Sequence, residues 1–455
     1  MFRPMLAAAA VLAAVSAYAA EPQPAFAPLA TGKRVVYRHV GLIDGIGSGL
    51  RPDMAVVTNG PLIEAVLPDS QLGARGRGAE IVDLKGRFLL PGLIDSHQHL
   101  ATPPNRRQAE ALMRRQLYGG ITAIRDMADD LRSIGELTRA SLVGDIAGPD
   151  IYYAALMAGP SFFADPRTRA AAEGAEPGRV PWMQAITDET DLPLAVAMAR
   201  GTYATAIKIY ANLPPRLVSR ITREAHRQNI RVWAHGMVFP ATPAEVVEAG
   251  PDVISHTCYL AYQASEKRPR SYQERFPVDY SKFRDGDNPV MAGLFREMRR
   301  RNIILDATVR VYVEGEKAAA KRPGKPPLCT ADLAERLTNQ AWREGVAISA
   351  GTDGETPAAD PYPSLHEELI LLAEKTGMPP AQVIRSATLI GAMTIGRERS
   401  MGSVEPGKLA NLLVVAKNPL ESLRNLRTVL MIVKRGRRYS RADFRPIDKS
   451  EMPED

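Results

Sequence analysis

Seven histidines and two cysteines bound which side chains of this 455-residue chain could hold a metal or act as a nucleophile. The most informative stretch is LLPGLIDSHQHL, residues 89–100, where His97 and His99 stand two apart. Residues two apart on a strand face the same way, so this pair would present two imidazoles side by side. Neutral imidazoles so placed suit a divalent transition metal such as zinc. Alone, an H-x-H pattern is weak, since histidines also serve as packing residues. Three further positions strengthen it: His235 closes IRVWAH, His256 closes PDVISH, and Asp353 ends VAISAGTD. Each lies at the end of a strand-like run. Lys208 sits in ATAIKIY between Ile207 and Ile209, where a lysine is costly unless paired or modified. The plainer account of Lys208 is a buried ion pair with a carboxylate such as Asp126.

The remaining histidines read differently. His39 falls in an N-terminal strand and is expected to be structural, and His226, in the polar helical pattern REAHRQN, is expected on a solvated helix face. His366 in PSLHEELILL either supports the site from a packed helix or sits on the surface. Cys258 and Cys329 are too few for a disulfide framework and lack the paired spacing of a thiolate zinc site. Cys258, two residues past His256, is expected to be a packing residue.

Strands must carry these side chains, and the middle of the chain supplies them. Strand-like runs LLPGLID, ITAIRD, PDIYYAA, ATAIKIY, IRVWAH, PDVISH, IILDAT and VAISAGTD alternate with helical patterns such as PRLVSRITREAHRQN and TPAEVVEAG. Alternation of this kind predicts βα units around a parallel sheet. Eight units is the number that closes a (β/α)8 TIM-like barrel, whose catalytic residues gather at the C-terminal ends of the strands. A doubly wound sheet is the alternative. Connections 158–200, 260–290 and 311–330 would emerge on that catalytic face, where long loops serve as lids or binding walls. Short alternating runs at residues 33–88 and again in ANLLVVAKNPL and VLMIVKRGRRY predict a small β-sandwich built from both chain ends. The expected division is a leader at 1–20, sandwich at 21–88, barrel at 89–395, sandwich at 396–445 and a tail at 446–455.

Taken in order, VDLKGRFLLPGLIDSHQH, IKIY, AHG, ISH, SAGTDG and GSVEPGKLANLLVVAKNPL resemble the amidohydrolase superfamily. The resemblance is to its binuclear branch, related to imidazolonepropionases and to Xaa-Pro and Xaa-Arg dipeptidases, and covers almost the whole chain after the leader. It implies that His97, His99 and Asp353 hold one metal ion and that His235 and His256 hold a second. Lys208, carboxylated to a carbamate, would bridge the two ions, with zinc the expected metal. Ions about 3.5 to 4 Å apart can share a hydroxide and polarise a carbonyl. Asp353 would then act as general base and afterwards as general acid. The expected reaction is hydrolysis of an amide or peptide C–N bond in a dipeptide or N-acyl amino acid. A lactone, cyclic amide or phosphotriester substrate, or a barrel that has lost its chemistry, are the alternatives.

Substrate contacts are less legible. Related dipeptidases place a tyrosine hydroxyl near the second metal, but GMVFP follows His235 here, with Phe239 where a tyrosine would help. Tyr210 and Tyr259, beside expected ligands, are the candidate replacements. Arg310 in DATVRVY is the candidate cation for a substrate carboxylate, ahead of Arg268 and Arg270.

Composition constrains the partners. Lys plus Arg number 58 against 51 Asp plus Glu, a net +7, but the excess is scattered in short clusters such as 299–301 and 435–438. No nucleic-acid motif accompanies them, so a solvated basic surface and a small-molecule substrate are expected. Arg3, the apolar run 5–14 and Ala17-Tyr18-Ala19 read as a secretory signal peptide, with an uncleaved anchor as the alternative. No later run approaches the roughly 20 residues of a membrane span. A periplasmic or secreted protein is expected, with homo-oligomerisation left open.

Overall fold

The structure, a computed structural model, describes residues 33–46, 49–321 and 326–453, and the expected leader lies outside them. Eight strands in chain order, Leu93–Gln98, Ile121–Asp126, Asp150–Ala158, Ala206–Ile209, Arg231–His235, Val253–Ser255, Ile304–Asp306 and Ile348–Ser349, form a parallel barrel. Consecutive strands pair in parallel throughout. First and last meet through the Ser96 amide donating to Ala350 O at 2.9 Å and the Asp353 amide donating to His97 O at 3.0 Å. That closure excludes the doubly wound alternative. The first three strands are buried along their whole length, as parallel strands sandwiched between side-chain layers and outer helices must be.

The helices follow their sequence signals. Pro215–Arg227 turns Leu217, Val218, Ile221 and Ala225 inward, a helical spacing of apolar residues. Pro243–Ala249 opens on a reciprocal cap between Thr242 and Glu245 and ends at left-handed Gly250. One run was divided differently from expectation. In DATVRVY the strand stops at Asp306, and Val309–Ala320 is a helix entered through Thr308 in the left-handed region, φ 49°. A β-rich run had masked a helix start.

Both ends of the described chain build a second, mostly antiparallel sheet of eight strands. Phe88–Pro91 pairs antiparallel with Leu412–Val415, joining the N-terminal strands to the C-terminal hairpin. Tyr37, Leu42, Val56, Leu89, Leu412 and Val433 pack together in its own core. Gly92 separates Phe88–Pro91 of this sheet from the first barrel strand. A side chain there would meet Thr122 at 2.3 Å, so only glycine lets the chain pass between the two cores. No helix among the described residues is long and apolar enough to cross a membrane.

Candidate metal centre

His97 lies on the first barrel strand and His99 just past it. Lys208 lies within the fourth, His235 ends the fifth, His256 follows the sixth and Asp353 follows the eighth. All six line one cavity of about 510 Å³ at the C-terminal end of the barrel. The ring centroids of His97 lie 5.6 Å from those of His99 and 4.8 Å from those of His256, and His235 lies 4.9 Å from His256. Asp353 Oδ1 is 3.5 Å from His97 Nε2 and 3.6 Å from His99 Nε2.

Partners behind the imidazoles fix which nitrogen faces inward. His97 Nδ1 lies 2.7 Å from Asp306 Oδ2, His99 Nδ1 lies 2.7 Å from Asp129 Oδ1, and His256 Nδ1 lies 2.9 Å from Thr308 Oγ1. On His97 and His99 a carboxylate accepts from Nδ1 and the opposite Nε2 lone pair is left to a ligand, which is how metal-binding histidines are held; the Thr308 hydroxyl orients the His256 ring. His235 Nδ1 is buried with no hydrogen-bond partner among the described residues. A buried nitrogen without a partner calls for an explanation, and on a ring that borders the cavity among three other imidazoles an ion supplies one. His97, His256 and Asp353 can bring one donor atom each within 4.8 Å of one another. The residues therefore fit divalent metal.

Electrostatics agree. Burial holds His97, His235 and His256 well below the usual imidazole range, so all three are neutral donors. Burial opposes the charged form of His99 too, but Asp129 outweighs it and raises that ring. Burial, with Arg125 nearby, pushes the Lys208 amine down to about 7. Lys208 makes no ion pair among the described residues, and Asp126 accepts instead from the amides of Leu100 and Asp129. The ion-pair account of Lys208 does not hold.

Local geometry is specialised here. His256, Thr308 and Asp353 adopt left-handed φ values of 74°, 49° and 49°, a costly state for such residues that clusters at functional sites. In SAGTD, a side chain on Gly351 would stand 2.2 Å from Asp306 Oδ1 and 2.8 Å from His97 Cβ, so glycine is required for the two to meet.

Tyr210 and Tyr259 border the cavity, their rings 4.1 and 5.3 Å from His235, and Phe239 is buried behind Tyr259. Arg310 does not reach it. Placed in the first turn of Val309–Ala320, Arg310 donates from its backbone to Glu368 and from Nε to Glu367 Oε2 at 2.6 Å. Arg268 donates to the carbonyls of Tyr262 and Gln263, and Arg270 is exposed. Among the described residues the arginine bordering the cavity is Arg167, from the loop after the third strand, with Tyr272 and Arg275 beside it from the loop after the sixth. These three, and Asp306, Asp129 and Arg125 behind the histidines, escaped sequence reasoning. Only Asp306, a carboxylate ending a barrel strand, carried a readable signal.

Cys258 is not a free packing thiol: it forms a disulfide with Cys329, 71 residues on, and both border the cavity. Far-apart loops meet only in the fold. His39 hydrogen bonds Asp53 in the terminal sheet, and His226 on its helix reaches Asp252 Oδ2 at 3.0 Å. His366 is buried, donating to Gly119 O at 2.7 Å against the ring of Tyr362, away from the cavity.

Comparison with known proteins accords with this geometry. The chain is 23% identical over 410 residues to imidazolonepropionase of Symbiobacterium thermophilum, covering 85% of this chain and 91% of that protein. It is 24% identical over 411 residues to 5-methylthioadenosine/S-adenosylhomocysteine deaminase of Desulforudis audaxviator, covering 84% of each. Its fold matches a Xaa-Pro dipeptidase crystallised with methionine in the active site (TM-score 0.71, 20% identity, 90% of this chain and 100% of that one). It also matches A. niger ochratoxinase (TM-score 0.68, 21% identity, 90% and 96%). The Amidohydrolase family model spans residues 88–439, and the chain belongs to that family of metal-dependent hydrolases acting on carbon–nitrogen bonds.

Proposed function

We propose that this protein hydrolyses the amide bond of a small dipeptide or N-acyl amino acid, using two divalent ions, with zinc the expected metal. The observation that carries the reading is the convergence of His97, His99, Lys208, His235, His256 and Asp353 on one cavity at the strand ends. His97, His99 and Asp353 would hold one ion and His235 and His256 the other. Lys208, poised near neutrality, would take up carbon dioxide and offer both a carbamate oxygen pair. Bound there, such ions acidify water and polarise a carbonyl. Asp353 accepts the proton of the attacking water and returns it to the departing nitrogen. Asp306, Asp129 and Thr308 hold the imidazoles in register. The apolar walls, Leu156, Phe162 and Met183 among them, exclude water from the bond under attack.

The Cys258–Cys329 disulfide supports export to an oxidising compartment, as does the leader pattern. The deciding experiment is metal analysis of the pure protein with a screen of dipeptides, N-acyl amino acids, lactones, cyclic amides and phosphotriesters. About two ions per chain and turnover of linear amides are expected. Turnover confined to another class would replace the substrate assignment, and fewer than two ions under metal-replete conditions would end the binuclear one.

A further inference from the structure

Beyond the metal ligands, one group of side chains bordering the cavity has a charge excess that the protein leaves uncompensated. Arg167 donates Nε and Nη2 to Asp165, and Nη2 again to Tyr272 Oη at 3.0 Å. Its Nη1 donates to no described group. Arg275 sits over the Tyr272 ring, its Cζ 3.5 Å from the ring centre, donates Nε to Tyr272 O at 2.7 Å and donates Nη1 to the Tyr259 hydroxyl. Among the described residues Arg275 has no carboxylate partner. Two guanidiniums thus stand beside three phenols with a single carboxylate, Asp165, which pairs with Arg167 alone; Tyr210 Oη lies 3.5 Å from Tyr272 Oη.

Position completes the case. The Tyr272 ring stacks 6.2 Å from His235, and the charge of Arg167 is felt at both Lys208 and Asp353. A group bound there lies within the length of a small substrate from the bond under attack. Apart from the metal-binding set and Asp129, Arg167 is the charged residue on a wall otherwise rich in apolar side chains such as Leu156, Phe162, Met183 and Leu328.

We propose that Arg167 and the Tyr272 hydroxyl bind a free carboxylate on the substrate, with Arg275 as the positioning residue that supplies the unpaired positive charge behind them. The apolar walls take a bulky apolar group on the same molecule. The substrate class is therefore an amide carrying one carboxylate and a large apolar substituent. This rests on the amide-hydrolase reading, and binding is used to test it separately.

The metal-loaded full-length enzyme is titrated calorimetrically with N-benzoyl-phenylalanine and with its C-terminal amide, and hydrolysis of both is followed. Wild type should favour the carboxylate by roughly 10- to 100-fold, the worth of a hydrogen bond to a charged group. In Arg167→Met and Arg275→Met that ratio should fall to within about threefold, and Arg275→Lys should recover part of it. Circular dichroism and melting identify a misfolded variant, and the wild-type ratio of the two ligands stands whatever the variants do. Equal affinity of wild type for the two ligands, or binding of neither at millimolar concentration, overturns the proposal. Preference for the carboxylate in binding without hydrolysis of either upholds the subsite and counts against the amide-hydrolase reading instead.

Discussion

Asp306 Oδ2 lies 2.7 Å from His97 Nδ1 and accepts from Arg125 Nη2 at 2.7 Å and from Ser255 Oγ at 2.8 Å. One oxygen thus ties the first, second, sixth and seventh strands to a single imidazole. All these groups are buried; burial pushes the Asp306 carboxyl above its usual range, Arg125 opposes that by favouring the charged form, and Oδ2 faces the His97 Nδ1 side, away from the cavity. Asp306→Asn weakens that hold. Supporting partners of this kind are worth 10- to 100-fold in metal affinity, and competition with a chromogenic chelator should show a loss in that range. Unchanged affinity would mean that His97 does not need its buried partner.

Asp353 touches both His97 and His99, yet no buried neighbour depends on it for its own hydrogen bonds in the way Arg125 depends on Asp306. Asp353→Asn should therefore cost at least about 100-fold in kcat, the share of a general acid–base group, with little change in melting temperature. Turnover of the variant within a few-fold of wild type would remove Asp353 from the proton transfers.

Lys208 has no counter-ion inside its strand, and replacement by Ala removes a buried amine without orphaning a carboxylate. Lys208→Ala should lose bound metal and activity, and added short-chain carboxylic acids such as acetate or propionate should restore part of both. A carbamate carbon should appear by 13C NMR when wild type is equilibrated with labelled bicarbonate. Its absence in metal-replete protein would overturn the carboxylated state.

Much of this site was legible because barrel strands end where their apolar runs end. His235 and His256 close such runs, and His97 and His99 show the two-residue period. The arginines were not legible. Arg310 seemed to continue a strand in DATVRVY, but the left-handed turn at Thr308 starts a helix and swings it toward Glu367. Arg167, Tyr272 and Arg275 sit in loops where no periodicity relates a residue to a face. The Cys258–Cys329 pairing depends on two loops that only the closed barrel brings to a Cα separation of 6.1 Å.

That disulfide joins Cys258, two residues past His256, to Cys329 across a sequence separation of 71, and both cysteines border the cavity. Chain-entropy arguments put the stabilisation from a loop of this length at about 4 kcal/mol. The Cys258→Ser, Cys329→Ser double variant should unfold at a lower denaturant concentration than wild type. Reductant should move wild type toward the variant and leave the variant where it is. Identical midpoints for the two proteins under oxidising conditions would show that the crosslink adds nothing to stability.

His366 offers a pH test remote from the metal. Its ring is fully buried and donates to Gly119 O, and burial pushes its pKa from 6.5 down to about 4. Between those values the unfolded chain binds a proton that the folded chain refuses. Stability from this residue is therefore complete above about pH 6.5 and declines as pH falls toward 4, by up to about 3 kcal/mol. His366→Gln can donate to the same carbonyl but cannot titrate. The variant should start less stable at pH 7.5, because its packing against Tyr362 is poorer, and lose less on acidification to pH 5. Parallel loss of melting temperature in both proteins would assign the acid sensitivity to other groups.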